Sequence, residues 1–161
     1  MHLITRFKML HAFEPVARFR ECWYRNIDPL EAPITYEMHE CALGNVDGSV
    51  RMSIDPADTG GTHVSNALIG GESVPMFRLD TYEYSHVDFI KIDCEGYELH
   101  VLQGAECTLR SCRPCVIVEQ KQHKMSANFG TKGTPAVDYL RDMGAILRRE
   151  MGGDYILSWP D

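Results

Sequence analysis

Residues 88 to 106 read DFIKIDCEGYELHVLQGAE, an apolar run that ends in a lysine, two acids and a glycine and then takes up helical spacing. The stretch VDFIKID (87–93) is nearly continuous in apolar residues, as expected for a strand covered on both faces. Alternation puts Phe89, Lys91 and Asp93 on one face and Ile90, Ile92 and Cys94 on the other, so Lys91 lies near Asp93. Ionised groups at the end of a buried strand are expensive unless paired or used. Lys91 is therefore read as the partner of a carboxylate or as a group serving chemistry. After Gly96, the run Glu98, Leu102, Ala105 and Leu109 keeps helical spacing through residue 110.

Upstream, MLHAF (9–13) predicts a short strand ending at Glu14 and Pro15. Residues 16–26 then place Val16, Phe19 and Trp23 on one face of an amphipathic helix. ITYEMHECAL (34–43) and SVRMSI (49–54) are two β-prone runs, and Asp47-Gly48 between them is a hairpin signal. The glycine-bearing stretch 55–73 reads as a loop. VPMFRL (74–79) predicts a strand, PCVIVEQ (114–120) a buried one, and residues 134–143 a short helix. AILRRE and DYILSW, flanking Gly152-Gly153, read as an antiparallel hairpin. Strand and helix alternate along the chain, which predicts one α/β domain over 1–161 with a mostly parallel sheet and a C-terminal antiparallel hairpin.

In open parallel sheets, ligands bind beyond the carboxyl ends of the strands. Three predicted strands end in acids there: Glu14, Asp93 and Glu119. Each has an ordinary structural alternative, because an acid before a helix satisfies free backbone N–H groups and the helix dipole. Asp93 and Glu95 fit that role before the helix that follows Gly96, and Glu119 fits it too. Glu14 also has a functional reading: an acid ending the second strand of a dinucleotide-type fold accepts hydrogen bonds from both ribose hydroxyls of a nucleoside cofactor.

With 44% hydrophobic and 24% charged residues, a net charge of -7 and a mean hydropathy of -0.25, the chain has the composition of a soluble globular domain. The acidic balance argues against a nucleic-acid or anionic-membrane binder. No apolar run reaches the length of a membrane span, and the first fifteen residues lack a secretory pattern, so a cytoplasmic location is expected. Of six cysteines, Cys22, Cys41 and Cys94 sit in apolar patterns and read as core thiols. Cys112 and Cys115 have the gap of a metal or redox pair but no matching second pair, and no metal ligand is assigned. A small metal or thiol protein built on Cys107, Cys112, Cys115 and His100 is the contrasting reading.

The segments HAFEPVARFRECWYRNI, CALGNVDGSV, VDFIKIDCEGYELHVLQGAE and RPCVIVEQ, in that order, resemble the FkbM family of S-adenosylmethionine-dependent methyltransferases, from about residue 9 to 159. The resemblance implies a Rossmann-like class I methyltransferase sheet and O-methylation of a small metabolite, a glycan or a lipid-linked sugar. It further implies that Glu14 holds the cofactor ribose, that Ala42 and Leu43 line the adenine site, and that Asp93 and Glu95 fall in the acidic motif beside the methyl group and acceptor. Glu119 and Lys91 join that pocket as candidates. Asp93 or Glu95 would remove the acceptor's proton, and the same carboxylates would serve as oxygen ligands if the acceptor needs a divalent metal.

The chain departs from the family pattern before Glu14, where residues 1–13 contain no glycine and hence no glycine-rich cofactor turn. The expectation is an N-terminally incomplete domain lacking the first strand, with HLITRF (2–7) the remnant of the first helix. In that case the strands ending at Glu14 and Asp93 pair directly or each shows an edge, and an unpaired edge predicts self-association. Three readings follow: a piece of a longer methyltransferase, a short form whose missing strand comes from another chain, or a non-catalytic binding module of the same fold. Segments 58–73 and 126–135 are expected to contact the substrate.

Overall fold

The computed structural model describes residues 7–27, 35–54, 62–65, 71–121, 130 and 132–160. The chain divides into two compact units, residues 1–42 and 43–161. Residues 2–6 of the expected helix remnant at 2–7 and parts of segments 58–73 and 126–135 lie outside the described residues.

In the first unit, β1 (Met9–Phe13) leads through Glu14 and Pro15 into α1 (Ala17–Ile27), and β2 (Thr35–His39) returns parallel to β1. Val16 is 2% exposed just before the helix, and Trp23 meets Tyr36 of β2 edge-on at 4.9 Å. This packs the predicted apolar face of α1 on the strand that follows it. Cys22, expected in the core, is exposed, because its position falls on the solvent face of the same helix.

The second unit holds most of the strands. Its larger core lies around β7 (Phe89–Ile92), β8 (Cys115–Glu119), β9 (Ile146–Met151) and β10 (Asp154–Ser158), hydrogen-bonded in the order β7-β8-β10-β9. β7 and β8 are parallel, and the other two pairings are antiparallel. Val116 and Val118 are buried on β8, with Leu102, Leu109, Leu140 and Leu157 at 0% exposure. Gly152 and Gly153 both take positive φ, which the two-residue β9–β10 turn requires. The helix α4 (Pro135–Asp142) begins where the buried Gln120 side chain accepts the N–H groups of Ala136 and Val137, at 3.1 and 3.2 Å.

A second sheet runs β3 (Ala42–Leu43), β6 (Glu72–Phe77), β4 (Gly48–Ser53), β5 (His63–Val64). It corrects three expectations. The run 34–43 is not one strand: β2 and β3 lie in different sheets. The hairpin expected at Asp47-Gly48 does not form, because β6 inserts between β3 and β4. Asp47 instead accepts the Arg78 N–H at 2.8 Å and the Thr81 hydroxyl at 3.0 Å, and the Arg78 amide bond holds its carboxyl below the usual range. The stretch read as a loop contains β5, paired to β4. Among the described residues parallel pairing is thus confined to β1–β2 and β7–β8 rather than running through most of the sheet.

β7 was also expected to be covered on both faces. Only Ile92 is buried and Lys91 is exposed, and among the described residues β7 stands at the end of its sheet with β8 as its bonded neighbour. β1 likewise bonds β2 within its own sheet.

The helix predicted after Gly96 is two helices, α2 (Glu98–Gln103) and α3 (Glu106–Cys112). The break has a specific cause in Asp80, on the 3-10 turn Leu79–Tyr82. Its N–H donates to the Gly104 carbonyl at 3.0 Å, and its carboxylate accepts the N–H groups of Cys107 and Thr108, both at 2.9 Å. Asp80 thereby takes both partners of the bond that a continuous helix would form between residues 104 and 108. Gly104 also passes the loop so closely that a Cβ there would lie 1.8 Å from the Gly44 carbonyl oxygen. Backbone on both sides leaves no room to yield. Gly104→Ala is expected to cost about 2–3 kcal/mol in urea unfolding; an unchanged midpoint would refute this account of the crossing.

Candidate functional site

Parallel register builds the site. Ile92 stands opposite Val118, so the next residues out, Asp93 and Glu119, leave the sheet side by side. Glu95 joins them from the turn that follows β7. One carboxylate oxygen from each of Asp93, Glu95 and Glu119 lies within 4.8 Å of the others. Two lysines border the trio: Lys91 Nζ donates to Asp93 at 3.0 Å, and Lys121 Nζ donates to Glu119. The expected pairing of Lys91 with Asp93 is therefore present. With all five groups ionised the cluster keeps one excess negative charge.

The electrostatics separate the acids. Burial pushes the Asp93 carboxyl up, but the Lys91 hydrogen bond and the charges of Lys91 and Lys121 oppose it, and the carboxyl lies below the ordinary value. Asp93 is thus an ionised, weakly basic carboxylate at neutral pH, suited to holding a cation more than to removing a proton. Lys121 is raised by its hydrogen bond to Glu119. Three carboxylate oxygens at this spacing can surround a cation, whether an ammonium, a sulfonium or a hard divalent ion.

The turn carrying Glu95 is under constraint. Glu95 has φ of +56°, a left-handed conformation uncommon for a residue with a side chain, and Gly96 follows at +106°. Glu98 holds this turn: its Oε1 accepts the N–H of Cys94 at 3.2 Å and of Gly96 at 2.9 Å. The side chain is 1% exposed, and Oε2 meets no hydrogen-bond partner among the described residues. Burial raises the Glu98 carboxyl against the opposing pull of those amides. Burial and the Glu98 and Asp93 charges push the Cys94 thiol well up, so it stays protonated.

Glu98 and Lys121 are the residues that sequence reasoning missed as site components. A signal existed for each. Glu98 is an acid at a position that helical spacing assigns to the core, and Lys121 follows Glu119 by two residues, which puts both on one side of an extended chain.

Glu14 lies in the first unit. Its N–H donates to the His39 carbonyl at 3.1 Å, its Oε1 accepts the Val16 N–H at 2.8 Å, and the Arg20 guanidinium donates to the Glu14 carbonyl at 3.0 Å. The carboxylate therefore serves the start of α1, and burial raises it despite that bond and the Arg20 charge. In β3, Ala42 is 7% exposed and Leu43 is half-buried. All six cysteines are free thiols, and among the described residues Cys107, Cys112, Cys115 and His100 form no ligand cluster; His100 stacks on Tyr97 at 4.2 Å. No helix among the described residues is long and apolar enough to cross a membrane.

Glu98→Ala is expected to lower unfolding stability by about 2–3 kcal/mol, since two turn amides lose a charged acceptor, whereas Glu98→Gln keeps that acceptor. The raised carboxyl fixes the pH dependence. The folded chain holds the Glu98 proton to higher pH than the unfolded chain does, so ionisation costs the wild type stability as pH rises above 4.5. The Gln variant should then gain on the wild type with rising pH in parallel urea titrations. A constant gap would show that Glu98 does not titrate as described.

A family model described as Methyltransferase FkbM domain matches residues 5–150. Among solved structures, the FkbM methyltransferase from Methylobacillus flagellatus KT is similar at a TM-score of 0.58 and 17% identity, over 96% of this chain and 37% of that one. The likeness is one of fold, and the chain spans little more than a third of that protein's length. No curated protein matches the chain.

Proposed function

The chain belongs to the FkbM methyltransferase family, and on that premise we propose that it is an S-adenosylmethionine-dependent O-methyltransferase with a Rossmann-like class I sheet, acting on a small metabolite, a glycan or a lipid-linked sugar. The observation that carries the reading is the meeting of Asp93, Glu95 and Glu119 at the coincident ends of β7 and β8. Like charges this close are costly for stability alone and are common where a cation or a proton is handled.

The residues present fit the cofactor's chemistry. A sulfonium is a cation, and the cluster carries excess negative charge. Ribose hydroxyls are donors, and Glu14 is an acceptor whose burial cost two donated hydrogen bonds would offset. Leu43, half-buried beside the buried Ala42, is the apolar side chain of that pair within reach of an adenine. When bound, S-adenosylmethionine supplies an activated methyl group. Asp93, kept ionised by Lys91, maintains negative potential at the rim. Glu95 takes the proton from the acceptor hydroxyl, its carboxylate presented by the turn that Glu98 holds. Glu119, fixed by Lys121, closes the other side and orients the acceptor.

Six cysteines in thiol form suit a reducing compartment and support a cytoplasmic location. The edge of β7 supports self-association, which sedimentation of the purified chain would read as a species larger than one copy.

Calorimetric titration of the 161-residue chain with S-adenosylmethionine is expected to give saturable one-to-one binding. Asp93→Asn and Glu14→Gln should each weaken it at least about tenfold, the scale of one charge-assisted contact. Absence of binding by a folded chain would replace this reading with that of a non-catalytic fragment or binding module.

A further inference from the structure

A second cluster, unrelated to the acidic trio, stands on β1 and β2. Parallel register sets His11 opposite Glu37 and Phe13 opposite His39. Alternation therefore turns all four side chains to one face of the pair. His11 Nδ1 lies 3.1 Å from His39 Nε2 and 3.4 Å from Glu37 Oε2. One ligand-type atom from each of the three residues lies within 4.8 Å of the others.

We propose that His11, Glu37 and His39 form a binding site for a divalent transition metal, with zinc the best match. The argument is geometric and chemical. In a tetrahedral zinc site, nitrogen and oxygen ligands about 2.0–2.1 Å from the metal stand about 3.3–3.4 Å from one another. Both short separations are close to that edge, so a small movement admits the ion. Two imidazoles and one carboxylate are borderline ligands that favour zinc, nickel, copper or iron(II) over calcium or magnesium.

With both imidazoles neutral, one of the two ring nitrogens facing each other at 3.1 Å donates to the other. Binding requires each imidazole to carry its proton on the far nitrogen, Nε2 of His11 and Nδ1 of His39, so that both facing lone pairs point to the metal. This is a change of tautomer without net loss of a proton.

The surroundings hold the ligands and leave the ion a way in. Phe13 stacks on the His39 ring at 4.4 Å and 14°, which limits its rotation. The His39 carbonyl accepts the Glu14 N–H, which fixes the backbone beneath the ring. The His11 side chain is 26% exposed and that of Glu37 56%, so the cluster is open on one side and water can complete the coordination. Three protein ligands with an open position is the arrangement of a reactive or exchangeable zinc more than of a closed structural one.

The test uses the whole chain, stripped with a chelator and titrated with cobalt(II) by visible absorption and with zinc(II) by calorimetry. One equivalent of cobalt should give the d–d bands of a four- or five-coordinate nitrogen and oxygen site, and zinc should displace it. His39→Ala and His11→Ala should each weaken zinc at least about tenfold, the smallest loss seen even for an outer-shell partner. Glu37→Gln, at the most exposed of the three positions, keeps the fold while removing the anionic ligand and should weaken zinc as well. Cobalt bands of thiolate character would assign the metal to the cysteines and overturn the proposal. Zinc affinity unchanged in the folded Glu37→Gln and His39→Ala chains would overturn it too, as would the absence of one-to-one binding.

Discussion

Parallel pairing of β7 with β8 is the constraint on which the acidic cluster depends. Two parallel strands in register deliver their carboxyl ends to the same line, so residues chosen independently at 93 and 119 become neighbours. An antiparallel pairing would send them to opposite ends of the sheet. Everything placed around the cluster answers to that meeting of like charges. Lys91 and Lys121 neutralise part of it, and Glu98, facing away, freezes the turn that adds the third acid.

Asp80 has an equally large effect on the second unit. One side chain and one peptide N–H from a short 3-10 turn end one helix and begin another, and they bring Gly104 against the Gly44 carbonyl. The sequence shows none of this, because the partners are 24 to 28 residues apart and no local propensity marks Asp80 as a cap for a distant helix. Residues 98–109 have the spacing of one helix, and tertiary hydrogen bonds decide otherwise.

The same contrast explains what could be read in advance. Elements whose signal is local were legible: β1, α1, β7, β8, α4 and the Gly152-Gly153 hairpin follow from periodicity and turn chemistry. The hairpin expected at Asp47-Gly48 failed because strand order is a non-local property, and β6 competes for the same edge. At the site, Lys91 with Asp93 was legible from period-2 alternation. Glu119 needed only the rule that parallel strands end together. Glu98 was not legible as a turn clamp, since its role appears only when the amides of Cys94 and Gly96 are seen to converge on it.

The strand order β7-β8-β10-β9 also carries a consequence for how the chain acquires its structure. β8 receives its second bonded neighbour from residues 154–158, which are made after β9 and yet fit inside it. During synthesis β8 must therefore wait with one side open while α4 and β9 emerge. Such late, long-range closure slows folding and leaves a strand available to wrong partners in the meantime. Because β8 ends in Glu119, the acidic cluster has no finished platform until that last insertion occurs, so assembly of the second unit's core and of its site is a single late event.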